Sequence, residues 1–506
     1  MFRSSKKVKG PPTIPTDHIV PIHAEDDTPR HRWNVMHILL RIDDGLDPDK
    51  LERSLWALLD RPGWCKLGGR LRRNVNKGID VHIPKRFSAT RPPVTFFHQH
   101  RRTSINHDSL AAKLPGAAQG QIQMINDTER FLPLMRRPED PKVIRDYLNS
   151  DLPALGVHVV TFTDATLVTL RLSHLLLDIV GIKCFLEAWS AVLRDGAAAV
   201  IPPVHGLESS PMDRLAERPA ETFMHADRLL RVGMLLLMGL RVLWHWFLQR
   251  IGSTEKEEER RIICMPAGYI RSLRETAMQD LENERGLDEK APFISEGDVL
   301  SAWWAKLLTP HVSAYKSQTV AMVNVLELRP LLRSSGWLSE GTIYIGNAHL
   351  YVSAFSSAGK VLSNSIGALA SAVRRSIVTL GSRSQVEAFM ALKEKTPSGF
   401  FILGDPGMHM FCSTNWTKAK LYEIDFSGAL VKEGSHRLSQ EAGRPATIYY
   451  HPLEPPQFPM MKILYITGKD AEGNYWMCAR LTRDLWARIE KTLPYEHPVV
   501  RSPEIC

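Results

Sequence analysis

Residues 172–181 read Leu-Ser-His-Leu-Leu-Leu-Asp-Ile-Val-Gly, which places His174 four residues ahead of Asp178. An imidazole is the side chain best suited to take and return a proton near neutral pH, so His174 is a candidate general base. Spacing alone does not select it, because the chain has nineteen histidines and repeats the pattern at His23-Ala-Glu-Asp-Asp27. Setting separates the two. His23 lies in a polar, Pro-rich lead-in, whereas His174 follows two strand-like runs, 156–163 and 166–172, joined by a short turn at Asp164-Ala165, the pattern of a hairpin. After Asp178 the apolar residues Ile182, Phe185, Leu186, Trp189 and Val192 recur at helical spacing until Arg194-Asp195-Gly196. His174 is therefore expected at a strand-to-helix junction, where a sheet edge exposes side chains for chemistry. A core histidine beside a helix-capping Asp fits the same ten residues.

Two more segments favour the chemical reading. Residues 344–348 read Tyr-Ile-Gly-Asn-Ala, and 413–428 read Ser-Thr-Asn-Trp-Thr-Lys-Ala-Lys-Leu-Tyr-Glu-Ile-Asp-Phe-Ser-Gly. In this order with His174-x-x-x-Asp178, the three resemble the BAHD family of CoA-dependent acyltransferases, whose motifs are His-x-x-x-Asp, Tyr/Phe-Gly-Asn and Asp-Phe-Gly-Trp-Gly. Trp416 precedes Asp425 by nine residues, as a Trp does in that family. Asp-Phe-Ser-Gly-Ala replaces the full C-terminal motif, and Gly181 stands three residues after Asp178 instead of one. Both departures resemble the fungal branch, which includes trichothecene acetyltransferases. The likeness runs from Gly69-Arg70-Leu71 to about Gly428.

The resemblance implies an α/β fold of two chloramphenicol-acetyltransferase-like domains, each a mixed sheet with helices, with the active site at their interface. It implies that His174 deprotonates an acceptor hydroxyl, while Asp178 points away and pairs with Arg329 to hold the loop. By the same likeness Thr414 donates to the oxyanion beside Trp416, and Asp425 and Gly428 are structural. Acyl-CoA, most simply acetyl-CoA, is then a co-substrate, with no bound cofactor. The acceptor is a hydroxyl on a lipophilic secondary metabolite, terpenoid or polyketide-derived. N-acylation of an amine and a catalytically silent, membrane-associated binding protein of the same fold are the alternatives. Condensation domains of peptide synthetases share the fold but usually show a second His where Ser173 stands. His349, beside the Gly-Asn segment, is a tempting second base, although an extra histidine is more often a packed one.

Composition is that of a globular enzyme: 506 residues, 44% hydrophobic and 24% charged. A net charge of +9 suits a polyphosphorylated co-substrate, and no basic stripe with interleaved aromatics suggests nucleic acid. Six scattered cysteines form neither a disulfide framework nor a metal motif, and Cys506 is too near the end for a prenylation box. Gly-x-Ser-x-Gly, Walker and Gly-x-Gly-x-x-Gly motifs are absent from the sequence, which argues against hydrolase, phosphotransferase and dinucleotide chemistry. The first residues lack the apolar core of a signal peptide, so a cytoplasmic protein is expected, with membrane association left open, and a monomer.

The elements that must position these groups follow from pattern. Residues 1–30 read as a flexible entry, 31–215 as the first acyltransferase domain, 216–260 as a connector and 261–506 as the second domain. Strand 33–42 leads into a helix opened by Asp47 and Pro48. Segment 85–145 reads as irregular. Residues 261–266 and 319–328 read as strands, and 267–282 as a helix. Ser295 caps a further helix through Trp303 and Trp304. Segment 228–250 is long and apolar, but Arg231 and Arg241 interrupt it. At 100° per residue Arg231, Arg241, His245 and Gln249 share one arc, so it reads as an amphipathic helix with Trp244, Trp246 and Phe247 near one end. It has three uses open to it: a membrane-surface or membrane-embedded anchor, a wall over a lipophilic pocket, or an ordinary buried helix.

Overall fold

The computed structural model describes residues 10–116, 121–217, 219–251, 257–284, 293–396, 401–431, 441–453, 460–493 and 495–496. Two mixed sheets dominate. The five-stranded sheet runs Pro445–Leu453, Val35–Ile42, Thr166–Ser173, Gly156–Thr161 and Thr95–His100. The expected hairpin is present, Gly156–Thr161 pairing antiparallel with Thr166–Ser173 and Phe162 donating across the turn to Ala165 at 2.8 Å. The eight-stranded sheet runs His349–Ser357, Thr319–Glu327, His409–Asn415, Met461–Lys469, Tyr475–Thr482, Glu258–Met265, Ile122–Ile125 and Tyr495–Glu496.

Each half of the chain lends a strand to the other's sheet. Pro445–Leu453 pairs with Val35–Ile42, and Ile122–Ile125 pairs with Glu258–Met265. We propose the 216–260 boundary as a division of topology only, because neither sheet is complete without a strand from across it.

Local chemistry explains the helices that flank the site. Asp47 accepts from the Asp49 and Lys50 amides and Pro48 occupies the first turn of Pro48–Leu59. Asp178 caps Ile179–Asp195 through the Gly181 amide. These two helices pack on each other, and the Trp189 indole donates to Ser54 at 2.8 Å. Ser295 and Asp298 form a capping box on Glu296–Val312.

Three expectations change. Strand His18–Pro21 and the Thr28-capped helix Pro29–Trp33 occupy part of the expected flexible entry. Segment 85–145 contains two strands, Thr95–His100 and Ile122–Ile125, each too short for a period-2 signal to stand out. The apolar helix is Val232–Ile251. No helix among the described residues is long and apolar enough to cross a membrane. The side chains of His245, Trp246 and Gln249 and residue Cys506 lie outside the described ones.

Candidate active site

His174 is the first residue past strand Thr166–Ser173, and its main chain is held on both sides. Its amide donates to the Asn34 carbonyl at 3.0 Å, and its carbonyl accepts from Asn347 Nδ2 at 2.9 Å. Asn347 is itself fixed, its amide and Nδ2 each donating to Asp26 Oδ1 at 2.7 Å. The imidazole thus emerges from a backbone bonded to segments more than 130 residues away in either direction.

Asp178 turns away from that ring. Arg329 forks onto it, NH1 to Oδ2 at 3.0 Å and NH2 to Oδ1 at 2.8 Å. The Gly181 amide at 2.9 Å and the Ala348 amide at 3.0 Å also donate to it, and His349 Nδ1 lies 3.9 Å from its Oδ2. Burial alone would raise the pKa of this carboxyl, but the Arg329 guanidinium holds it well below the usual range. Arg329 also donates to the Tyr344 and Gly346 carbonyls, both at 2.7 Å, and its NH1 lies 3.7 Å from Glu327 Oε1. The 344–348 segment is therefore bolted to the His-x-x-x-Asp loop through Arg329, Asp178 and Asn347. Gly181 lies against the Ile345 carbonyl so closely that a Cβ there would overlap it.

Three imidazoles meet at this point. His31 stacks on His174 with ring centroids 4.4 Å apart and planes 10° off parallel. His349 stands 6.3 Å from His174 and 5.6 Å from His31. Burial lowers the His174 pKa to about 4, with His349 nearby adding to the effect. His31 is pushed well below its ordinary value by burial and by the two neighbouring rings. Its Nδ1 lies 3.0 Å from the Asp26 carbonyl, an acceptor that fixes this nitrogen as the protonated one. Neutral His174 at physiological pH is the state a general base requires.

Thr414 is the penultimate residue of the strand His409–Asn415, and its Oγ1 accepts from the Trp416 indole at 3.1 Å. That bond leaves the Thr414 hydroxyl proton free to point elsewhere. Trp416 stacks edge-on with Tyr450 at 4.6 Å, and Asn34 Nδ2 donates to the Tyr450 hydroxyl at 3.4 Å. Asn34 thus links this wall to the backbone of His174. Asp425 lies apart from these rings, accepting from the Ser427 amide at 2.8 Å, while its carbonyl takes the Ser190 hydroxyl at 2.5 Å. Phe426 packs edge-on against Trp189 at 5.2 Å. A Cβ on Gly428 would sit 2.7 Å from the Leu193 carbonyl, so this turn lies flat on the helix that Asp178 caps.

The structure thus brings Asp178 and Arg329 together beside His174, places Thr414 and Trp416 on an adjoining wall, and keeps Asp425 and Gly428 behind the helix. Reading residues missed Asp26, His31 and Asn34, and undervalued His349. Asp26 belongs to the repeated His23-x-x-x-Asp27 pattern, where it acts by holding Asn347; nothing in its spacing signals that. No cluster among the described residues could hold a metal ion. A cavity of about 850 Å³ lies away from the three clustered imidazoles. It is lined by Thr319, at the far end of a strand whose other end, Glu327, pairs with His349. Eight residue steps separate the two ends, roughly 26 Å.

A profile of the Transferase family matches residues 129–444. The Acetyltransferase adrJ of Penicillium roqueforti is 36% identical over 97% of this chain and 98% of its own. A protein of Penicillium decumbens named Transcriptional regulator calD is 37% identical over 98% of this chain and 99% of its own. The solved structure of F. graminearum TRI101 with coenzyme A and T-2 mycotoxin superposes with a TM-score of 0.64 at 14% identity, covering 94% of this chain and 97% of that one, which establishes the shared fold. The chain belongs to the Transferase family, within the fungal branch of the BAHD-type acyl-CoA-dependent acyltransferases.

Proposed function

We propose that the protein transfers an acetyl group from acetyl-CoA to a hydroxyl of a lipophilic secondary metabolite, terpenoid or polyketide-derived, with His174 as general base. The observation that carries this is a neutral imidazole aimed by two main-chain bonds, with its sequence partner Asp178 committed to Arg329. A carboxylate so committed does not orient His174 as a triad would; it holds the loop. His174 takes the acceptor's proton as the hydroxyl oxygen attacks the thioester carbonyl. The Thr414 hydroxyl donates to the oxyanion that forms. The C–S bond then breaks, the proton passes from His174 to the thiolate, and ester and free CoA leave. No covalent enzyme intermediate is needed.

Neither His31 nor His349 is required to carry the proton in this scheme. His349 beside it disfavours a charged His174 at rest, which keeps it ready to accept a proton. The protein works in the cytoplasm as a monomer. The test is to incubate the purified chain with acetyl-CoA and matched alcohols and amines, reading CoA release and product mass. Acetate esters support the reading. Amides instead of esters contradict the O-transfer, and no turnover across a broad panel favours a silent binding protein.

A further inference from the structure

Helix Val232–Ile251 is mounted with its apolar side outward. Its packed stripe is Leu235, Met238 and Val242, an arc of about 60° at 100° per residue. Arg231 and Arg241 fall on or beside that stripe, and the Arg241 guanidinium lies against Gly407. On the opposite side Val232, Leu236, Leu240, Leu243, Trp244 and Phe247 span about 120° and are 54–75% exposed. A surface helix normally shows the reverse order. Trp244 and Phe247 stack at 5.7 Å near one end.

We infer that this face docks on an anionic lipid surface, the helix lying in the plane of the headgroups with Trp244, Phe247 and the leucines inserted. Size argues against a protein occupant. The exposed stripe measures roughly 23 Å by 10 Å, about 230 Å², well below the ~800 Å² per partner of a stable interface. It suits an interfacial helix, which needs one apolar face and flanking basic groups. Those groups are present. The cavity beside the helix is bordered by Leu237, Arg241 and Val242 together with exposed Tyr315 and Ser317 and half-buried Gln318. Lys316 and Lys360 line the adjoining cleft near exposed Leu362.

Arg231, Arg241, Lys316 and Lys360 make no ion pair among the described residues, so their charge is available to phosphate or serine headgroups. Of the acids near the helix, Glu257 pairs with Arg483 at 3.5 Å, Glu258 with Arg480 at 3.1 Å, and Asp484 with Arg488. Asp405 accepts from the Gly407 amide at 2.9 Å, and exposed Asp227 makes no ion pair among the described residues. The four unpaired basic side chains outnumber these two acids, so the local field is basic, as an anionic surface requires.

The experiment is sedimentation of the full chain with phosphatidylcholine vesicles, with and without phosphatidylserine, alongside light scattering of the protein alone. Binding is expected to need phosphatidylserine and to fall at least tenfold in L240S/F247S, whose melting temperature stays that of the parent. K316E and K360E should each weaken it roughly fivefold. Failure of the full chain to sediment with phosphatidylserine vesicles overturns the proposal. So does a concentration-dependent dimer that L240S/F247S abolishes, because the face would then serve a second copy. Neither readout uses acetyl transfer, so failure here leaves the catalytic reading untouched, and the reverse also holds.

Discussion

At the scale of single residues, the decisive contact is the fork of Arg329 on Asp178. Both are buried, and each satisfies groups the other leaves open: two amides on the carboxylate, two carbonyls on the guanidinium. Removing one partner strands a charge out of water, at a cost of about 3–5 kcal/mol. Asp178→Asn and Arg329→Ala should therefore each lower the melting temperature along with activity, and the double variant should lose much less than the sum. A double-mutant cycle read by chemical denaturation checks this. Strict additivity would mean the pair is not a unit. Reading the sequence reached His174, Asp178 and Arg329 because their motif has fixed spacing and order. It could not reach Asp26, His31 or Asn34, whose roles exist only once strand pairing brings the N-terminal segment against residue 347.

At the scale of elements, the site depends on how helix Ile179–Asp195 is clamped at both ends. Asp178 and Gly181 seat its start on the 344–348 segment, and the Asp425-Phe-Ser-Gly428 turn lies along its last turns. Gly181→Ala should push the helix off the Ile345 carbonyl, costing roughly 1–3 kcal/mol by the measure of overpacked cores. Turnover should fall with it, because His174 shares the loop. A parental melting temperature for this variant, measured by calorimetry, would refute the clamp. Helix and hairpin positions were legible because caps and periodicity are local. The strands Thr95–His100 and Ile122–Ile125 were not, since they gain their partners from far along the chain. The orientation of helix Val232–Ile251 also escaped the pattern: periodicity identifies two faces but not which one the protein covers.

At the scale of the whole molecule, exchanged strands lock the two sheets together around a buried polar row. His451, His37 and Arg171 share one register across three strands, with His158 on the same face and Asp140 bonded to Arg171 at 2.7 Å. Burial, then Arg171, lowers His37 to about 3. Burial lowers His158 to about 4, and burial with Arg260 holds His451 well below its ordinary value. Unfolded, these histidines titrate near 6.5, so the unfolded chain binds more protons once pH falls through that value. Stability is full above pH 6.5 and declines as pH falls toward about 3, by an amount on the order of several kcal/mol. Urea midpoints across that range measure it, and a flat profile would contradict the burial of neutral histidines. His174 is proposed to move the proton during acyl transfer, and the most direct measurement of that role is single-turnover acetyl transfer by His174→Ala beside the parent chain. A loss of roughly 10²–10⁴-fold with an unchanged melting temperature is predicted. Parental turnover in that variant would contradict the assignment outright.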